Sequence, residues 1–341
     1  MQRPVRCADV ARSYDAYRFG DGILEVGGSE PALSDYISSL YGDCRVKERG
    51  DARSPTVRCT VGPTEHRHVA QVGFEDPEPL DASDFVASVH SRGHHEWFGA
   101  ADGRRSQTGS ADSRSPAITL CGSVALVDRR KPWHAPIAHL GINRLLHFQR
   151  DMLFFHAASL DIGGAGVLLF GDKCAGKTTT ALFLAARGHD LMSDEVGAVR
   201  TRDHELLPFR RALSIRPGPL PRVVRERLGG GSCRRETLPD GTTRVRARIS
   251  SLFRVNESAA TALKCAFFLS GFAGTPQARA ITPGTGHLAH LKPFGCSLYG
   301  ASKRTVAFRL AALLSRTRVY ALSLGPAQAT AALVERLVEQ A

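Results

Sequence analysis

Apolar positions along the chain recur with two periods. In the first hundred residues "YRFGDGILEVGG" (17–28), "TVRCTVG" (56–62) and "HRHVAQVGF" (66–74) alternate apolar with polar positions, or bound short apolar runs with glycine. That is the pattern of short strands. "EPALSDYISSLYG" (30–42) reads as a short helix between them, and "ADGRRSQTGSADSRSP" (101–116), small and polar throughout, reads as an exposed loop or linker. "AITLCGSVALVD" (117–128) predicts a strand broken at Gly122, and in "HAPIAHLGINRLLHFQRDM" (134–152) Ile137, Leu140, Leu145 and Phe148 fall at helical intervals. "LFFHAASLDIGGAGVLLFGD" (153–172) predicts two buried strands joined by a glycine-rich turn at 163–166. A helix over 176–188, ended by Gly188, follows it, and "DLMSDEVGAVR" (190–200) predicts the next strand. "CAFFLSGFA" (265–273) is a further buried strand, and "VYALSLG" with "PAQATAALVERLVEQ" (319–340) is a closing strand and amphipathic helix. These patterns predict a small α+β module over 1–115 and a second domain over 116–341.

Composition narrows the class. A chain that is 43% hydrophobic and 23% charged has the balance of a water-soluble globular protein. Its apolar runs are strand-length, far short of the roughly 20 residues that cross a bilayer. The N-terminus lacks the apolar core of a secretory signal, so a cytoplasmic protein without a membrane partner is expected. Eight scattered cysteines with no C-x-x-C spacing read as free thiols in a reducing compartment. The pairs His66/His68 and His94/His95 sit in polar stretches and read as surface loops rather than metal ligands. A net charge of +12 favours an anionic partner: a nucleotide, an acidic peptide or a phosphorylated metabolite. Nucleic acid is not favoured, because no fold signal for it accompanies the charge.

The chemistry gathers around one motif. Gly171-Asp172-Lys173-Cys174-Ala175-Gly176-Lys177-Thr178 fits G-x-x-x-x-G-K-[ST], follows a buried strand and opens a helix. Glycines let the loop curl until its N–H groups point at phosphate oxygens, and the helix N-terminus adds its dipole. Lys177 then bridges the β- and γ-phosphates of a bound nucleotide, Thr178 ligates Mg²⁺, and Thr179 follows on the first turn. After one intervening helix, Asp194 and Glu195 end an apolar strand, a pair suited to holding Mg²⁺ and to deprotonating an attacking hydroxyl. His156, flanked by apolar residues, is either a core histidine or a group facing the same phosphates.

The stretch from Leu153 to Val199 resembles the C-terminal domain of the HPr kinase/phosphorylases and of their wider kinase-like relatives. In that family a strand with His-Ala or His-Gly precedes a hairpin, a P-loop, a helix closing in "RGH" and a strand ending in Asp-Asp or Asp-Glu. The similarity runs on through "LLPFRRALSIRPGPLPRVV" (206–224) and the closing strand and helix, from about Ile137 to the C-terminus. The resemblance implies an α/β fold, a mixed-sheet P-loop core like that of phosphoenolpyruvate carboxykinase with flanking helices. It also implies ATP- and Mg²⁺-dependent phosphorylation of a hydroxyl, usually serine. By matching position Asp194 is implied as the base and Glu195 as a metal-side group, roles that could be exchanged. His156 matches the active-site histidine, and Arg210, Arg211 and Arg216 match or neighbour basic positions near phosphate. Two departures stand out. Lys173-Cys174 replaces the usual Ser-Gly, and the arginine-rich signature of the bifunctional enzymes is missing after the core. Relatives of this divergent kind often accompany peptide natural-product clusters, and HPr kinases often form hexamers, so a homo-oligomer is a further implication.

The stretch 229–250 is the most basic, with Arg234, Arg235, Arg244, Arg246 and Arg248 around a Pro-Asp-Gly turn. It reads either as a basic lid over an acidic acceptor or as a solvated edge hairpin. The functional expectation is a kinase acting on Ser/Thr of a peptide or protein. A kinase of a small hydroxylated metabolite and a non-catalytic nucleotide-binding regulator are the alternatives.

Overall fold

The computed structural model describes residues 14–46, 54–78, 98–100, 118–121, 123–229, 233–237, 241–256, 260–282 and 303–341. It is mixed α/β and divides into two compact units, one running to Phe148 without residues 40–44, the other comprising Leu40–Cys44 and Gln149–Ala341. The division falls later than the 115/116 boundary expected, because the strands after residue 116 join the first unit's sheet and the helix that follows them packs on it.

In the first unit β1 (Asp15–Phe19), β2 (Gly22–Gly28), β3 (Thr56–Pro63), β4 (Val69–Glu75), β5 (Phe98–Ala100), β6 (Ile118–Cys121) and β7 (Val124–Asp128) form one sheet, ordered β1-β2-β3-β4-β7-β6-β5. Helix α1 (Pro31–Tyr41) makes the crossover that parallel pairing of β2 with β3 requires. Alternation sends Val57, Cys59 and Val61 of β3 and Ala70, Val72 and Phe74 of β4 inward. Helix α2 (His134–His147) covers this core; a Cβ at Gly141 would lie 3.4 Å from Leu24 Cδ1. Its Arg144 forms a buried fork with Asp76, Nε to Oδ1 at 3.0 Å and Nη2 to Oδ2, with the guanidinium 5.0 Å from the Phe74 ring.

In the second unit the order is β8 (Met152–Phe155), β9 (Ala158–Ile162), β10 (Ala165–Phe170), α3 (Lys177–Ala185), β11 (Asp190–Ser193), β12 (Gly197–Arg200), β13 (Glu205–Leu207), β14 (Leu213–Ile215), α4 (Arg222–Leu228), β15 (Arg234–Thr237), β16 (Thr243–Ala247), α5 (Ile249–Leu252), β17 (Thr261–Phe272), β18 (Gln277–Ile281), α6 (Lys303–Leu314), β19 (Arg318–Leu324) and α7 (Ala327–Glu339). Nine strands build the main sheet, β11-β9-β10-β17-β13-β12-β8, with β19 also paired to β17 and β18 to β19. β10, β17 and β19 run parallel. Both faces of β10 are buried, as its unbroken apolar run requires. Val167 and Leu169 pack in a core with Leu184 of α3 and Val334 of α7; Leu168 and Phe170 pack with Leu310 and Leu313 of α6. A small sheet, β14-β16-β15, stands apart.

Two runs expected as single strands are broken. The first is split at His156–Ala157, so that β8 pairs with β12 while β9 pairs with β10 and β11. The second is split at 194–196, so that β11 and β12 occupy distant places in the sheet. Of the expected turn at 163–166 only Gly163 and Gly164 form it, both at positive φ. His94, His95 and the 101–116 stretch lie outside the described residues.

Candidate active site

Strand direction brings the predicted groups to one end of the sheet. β10 ends at Phe170 and passes through the loop 171–176 into α3. β9 is antiparallel to β10, with Ala158 opposite Leu169, so His156 lies beside the loop's start. β11 is antiparallel to β9 and therefore runs with β10, delivering Asp194 and Glu195 to the same end.

The loop is tightly wound. Ala175 N donates to the Asp172 carbonyl at 3.1 Å, and Cys174 and Gly176 adopt φ of 68° and 98°. Glycine suits the second position doubly, because a Cβ there would lie 2.5 Å from Leu324 Cδ1. Gly171 packs under Ala175 and Leu269, while Asp172, Lys173 and Cys174 are exposed at the crown. Lys177 is buried and its Nζ donates to the carbonyls of Gly171 (2.6 Å) and Asp172 (3.1 Å). Burial holds this amine below its ordinary pKa, against the opposing pull of Asp172, Asp194 and Glu195. The Thr178 hydroxyl lies 3.3 Å from Asp194 Oδ2 as donor, and Thr179 beside it is half-buried.

The carboxylates are set by a residue that no motif signals. Ser193 is fully buried, and its Oγ accepts the N–H groups of Glu195 (3.2 Å) and Val196 (3.0 Å), which turns the chain after Asp194. Asp194 is buried, and burial, reinforced by Glu195, lifts its carboxyl to about 6 against the opposing Arg211 and Thr178. Burial pushes Glu195 upward too, but its ion pair with Arg211 outweighs this and holds it below its usual value. Partial burial and the charge of Lys177 hold the His156 imidazole below its ordinary value, with Glu195 opposing.

The three arginines part company. Arg216 reaches the crown, its Nη1 3.6 Å from Cys174 Sγ, and Arg211 holds Glu195. Arg210 faces elsewhere: its Nη2 donates to Asp190 Oδ2 (2.9 Å) and the Asn256 carbonyl (2.7 Å), almost fully buried. Asp190 opens β11, three residues or roughly 10 Å from the carboxylate end, so Arg210 is a structural ion-pair partner rather than a phosphate ligand. The backbone of these arginines is clasped by a distant stretch of chain. Leu40 O accepts from Ala212 N (2.6 Å), Cys44 Sγ donates to Arg210 O (3.2 Å), and the Tyr41 ring lies 5.9 Å under the Arg211 guanidinium. In the basic hairpin, Arg244 and Arg246 both engage Glu236, while Arg234 and Arg235 are exposed. Arg246, which also approaches Ala212 O at 3.4 Å, is a further positive charge acting on Asp194 and Glu195.

Among the described residues no three His, Cys, Asp or Glu side chains gather as a metal cluster, and no helix is long and apolar enough to cross a membrane. The free cysteines there include buried Cys44, Cys59 and Cys265, whose thiols burial pushes up to about 12, 12 and 11, and exposed Cys174. Iodoacetamide at pH 8 is therefore expected to label Cys174 well before those three, and Mg-ATP to slow that labelling at least about tenfold. Peptide mapping reads both; unchanged labelling at saturating Mg-ATP would contradict phosphate binding in the loop.

No protein-family model matches the chain. Over 52 residues it is 46% identical to the HPr kinase/phosphorylase of Limosilactobacillus reuteri, spanning 15% of this chain and 16% of that protein. The Bacillus pumilus HPr kinase/phosphorylase is 42% identical over 69 residues, 19% of this chain and 22% of the relative. The chain thus matches less than a quarter of the length of these curated relatives. The Hpr(Ser) kinase/phosphatase from Coxiella burnetii aligns with 55% of this chain and 94% of its own, at 16% identity and a TM-score of 0.27. The fold is that of a mixed α/β protein. Over a limited stretch, the chain is related to the HPr kinase/phosphorylases.

Proposed function

We propose that the protein is an ATP- and Mg²⁺-dependent kinase that transfers the γ-phosphate to a hydroxyl, with Ser or Thr of a peptide or protein as acceptor. The carrying observation is the hydrogen bond between Thr178, the last residue of the phosphate-loop motif, and the buried carboxylate of Asp194. It joins the nucleotide side of the site to a group able to take a proton. Thr178, Asp194 and Glu195 offer hard oxygen donors, which fit Mg²⁺ when phosphate oxygens and waters complete its shell. Bound there, the ion supplies charge neutralisation to the phosphates. Lys177 and Arg216 bind and orient the phosphate chain. Asp194, with its carboxyl at about 6, accepts the acceptor's proton while the new O–P bond forms and the bond from the γ-phosphorus to its bridging oxygen breaks. Arg211 keeps Glu195 ionised and adds positive charge beside the transfer. A peptide acceptor is favoured by the relatives' names and by the arginines of the β15–β16 hairpin, with a cytoplasmic setting in keeping.

The test is incubation of the protein with γ-labelled ATP, Mg²⁺ and an extract of the producing cell, beside Lys177→Ala, followed by separation by size. Label in the peptide or protein fraction is expected, falling at least about a hundredfold in the variant. Label in the small-molecule fraction would assign a metabolite kinase instead. ATP binding with no lysine-dependent label anywhere would assign a regulator without turnover.

A further inference from the structure

Phe272 is a large apolar side chain left 73% exposed at the end of a strand whose Phe267 is fully buried. Its direction follows from a break in the β17–β19 ladder. Leu269 pairs with Leu322 and Phe272 with Leu324, so Ser270 and Gly271 together oppose Ser323. Gly271 takes φ +123°, and the ladder resumes with Ala273 N donating to Leu324 O at 2.6 Å. A bulge of this kind re-aims the side chain that follows it. Here it turns Phe272 onto the rim of the phosphate loop: a Cβ built at Gly176 would lie 3.8 Å from the tip of the ring and 2.5 Å from Leu324 Cδ1. The ring therefore stands beside the residue that precedes Lys177, with Leu324, 3% exposed, beneath the same glycine. A nucleotide whose phosphates occupy the loop carries its base one ribose beyond them, a reach that spans that rim.

We propose that Phe272 is the stacking platform for the base of the bound nucleotide; this rests on the nucleotide reading above. An aromatic face accepts any base through its π-surface, and removal of one such platform costs about tenfold in affinity. Because the ring packs so little of its surface on the protein, its loss leaves the fold and the phosphate loop in place.

The test is calorimetric titration of the full chain with Mg-ATP and, separately, with Mg-tripolyphosphate, which has no base. Phe272→Ala is expected to weaken ATP about tenfold and leave tripolyphosphate unchanged, while Phe272→Trp keeps wild-type affinity for both. Unchanged ATP affinity in Phe272→Ala would overturn the proposal. So would equal weakening of both ligands, which marks a structural role. Failure of the wild-type protein to bind either ligand would sink the nucleotide reading itself, and the platform with it.

Discussion

Asp194→Asn is expected to make the protein more stable while removing the proposed phosphotransfer. The carboxyl sits at about 6 in the folded chain against an ordinary 3.8, chiefly because it is buried. The folded state therefore holds a proton that the unfolded chain has already released between about pH 4 and 6. Stability falls across that window as pH rises, by about 3 kcal/mol for a shift of this size, and stays lower above it. Asparagine keeps the site neutral at every pH. In chelator-treated protein, urea denaturation at pH 7.5 should show a gain approaching that figure, shrinking towards pH 4.5. A variant destabilised at pH 7.5, or a gain independent of pH, would contradict the account. Loss of a general base removes about two to four orders of magnitude of rate, so turnover should fall to background. A charge that the fold would be steadier without is what a site kept for chemistry looks like.

The second large effect lies in the first unit. Asp76→Ala strips Arg144 of its carboxylate while both side chains are about nineteen-twentieths buried, at 5% and 6% exposure. Removing one member of a buried pair typically costs about 3–5 kcal/mol, because the remaining charge keeps its desolvation penalty. Thermal denaturation should show the transition of that unit falling well below the wild-type value. Replacing both partners by apolar residues of similar volume should recover most of the loss, and failure to recover it would mean that the pair holds more than itself.

Those consequences rest on features of unequal visibility. The loop 171–176, the strand before it and the helix after it were legible because the motif's glycines and the flanking apolar pattern mark a strand–loop–helix locally, and Gly176 and Lys177 open the helix as that spacing requires. Asp194 and Glu195 were legible as the polar end of an apolar strand, which β11 is. What was hidden depends on partners far away in sequence. Arg210 and Arg211 are adjacent, yet one turns to Asp190 and the other to Glu195, a choice that strand register and burial make. The breaks at 156–157 and 194–196 interrupt runs that are apolar on both sides, so periodicity carried no mark of them. Ser193 is an ordinary serine until its hydroxyl is seen to accept two N–H groups. The polar stretch at 101–116 looks like a linker, whereas strands on its far side join the first unit's sheet, so the two compact units part later in the chain than that stretch suggests.

Leu40–Cys44, five residues of which Leu40, Tyr41 and Cys44 hold Arg210–Ala212, carry a consequence for ancestry. They belong to the second unit although they are encoded far upstream of its 171–176 loop, inside the first unit's stretch of chain. A gene fragment beginning at residue 149 would lack the carbonyl that receives Ala212 N and the ring beneath Arg211. The two halves of this gene are thus poor candidates for separate shuffling. A lineage that exchanged the front half for another would have had to inherit, or reinvent, those five residues with it.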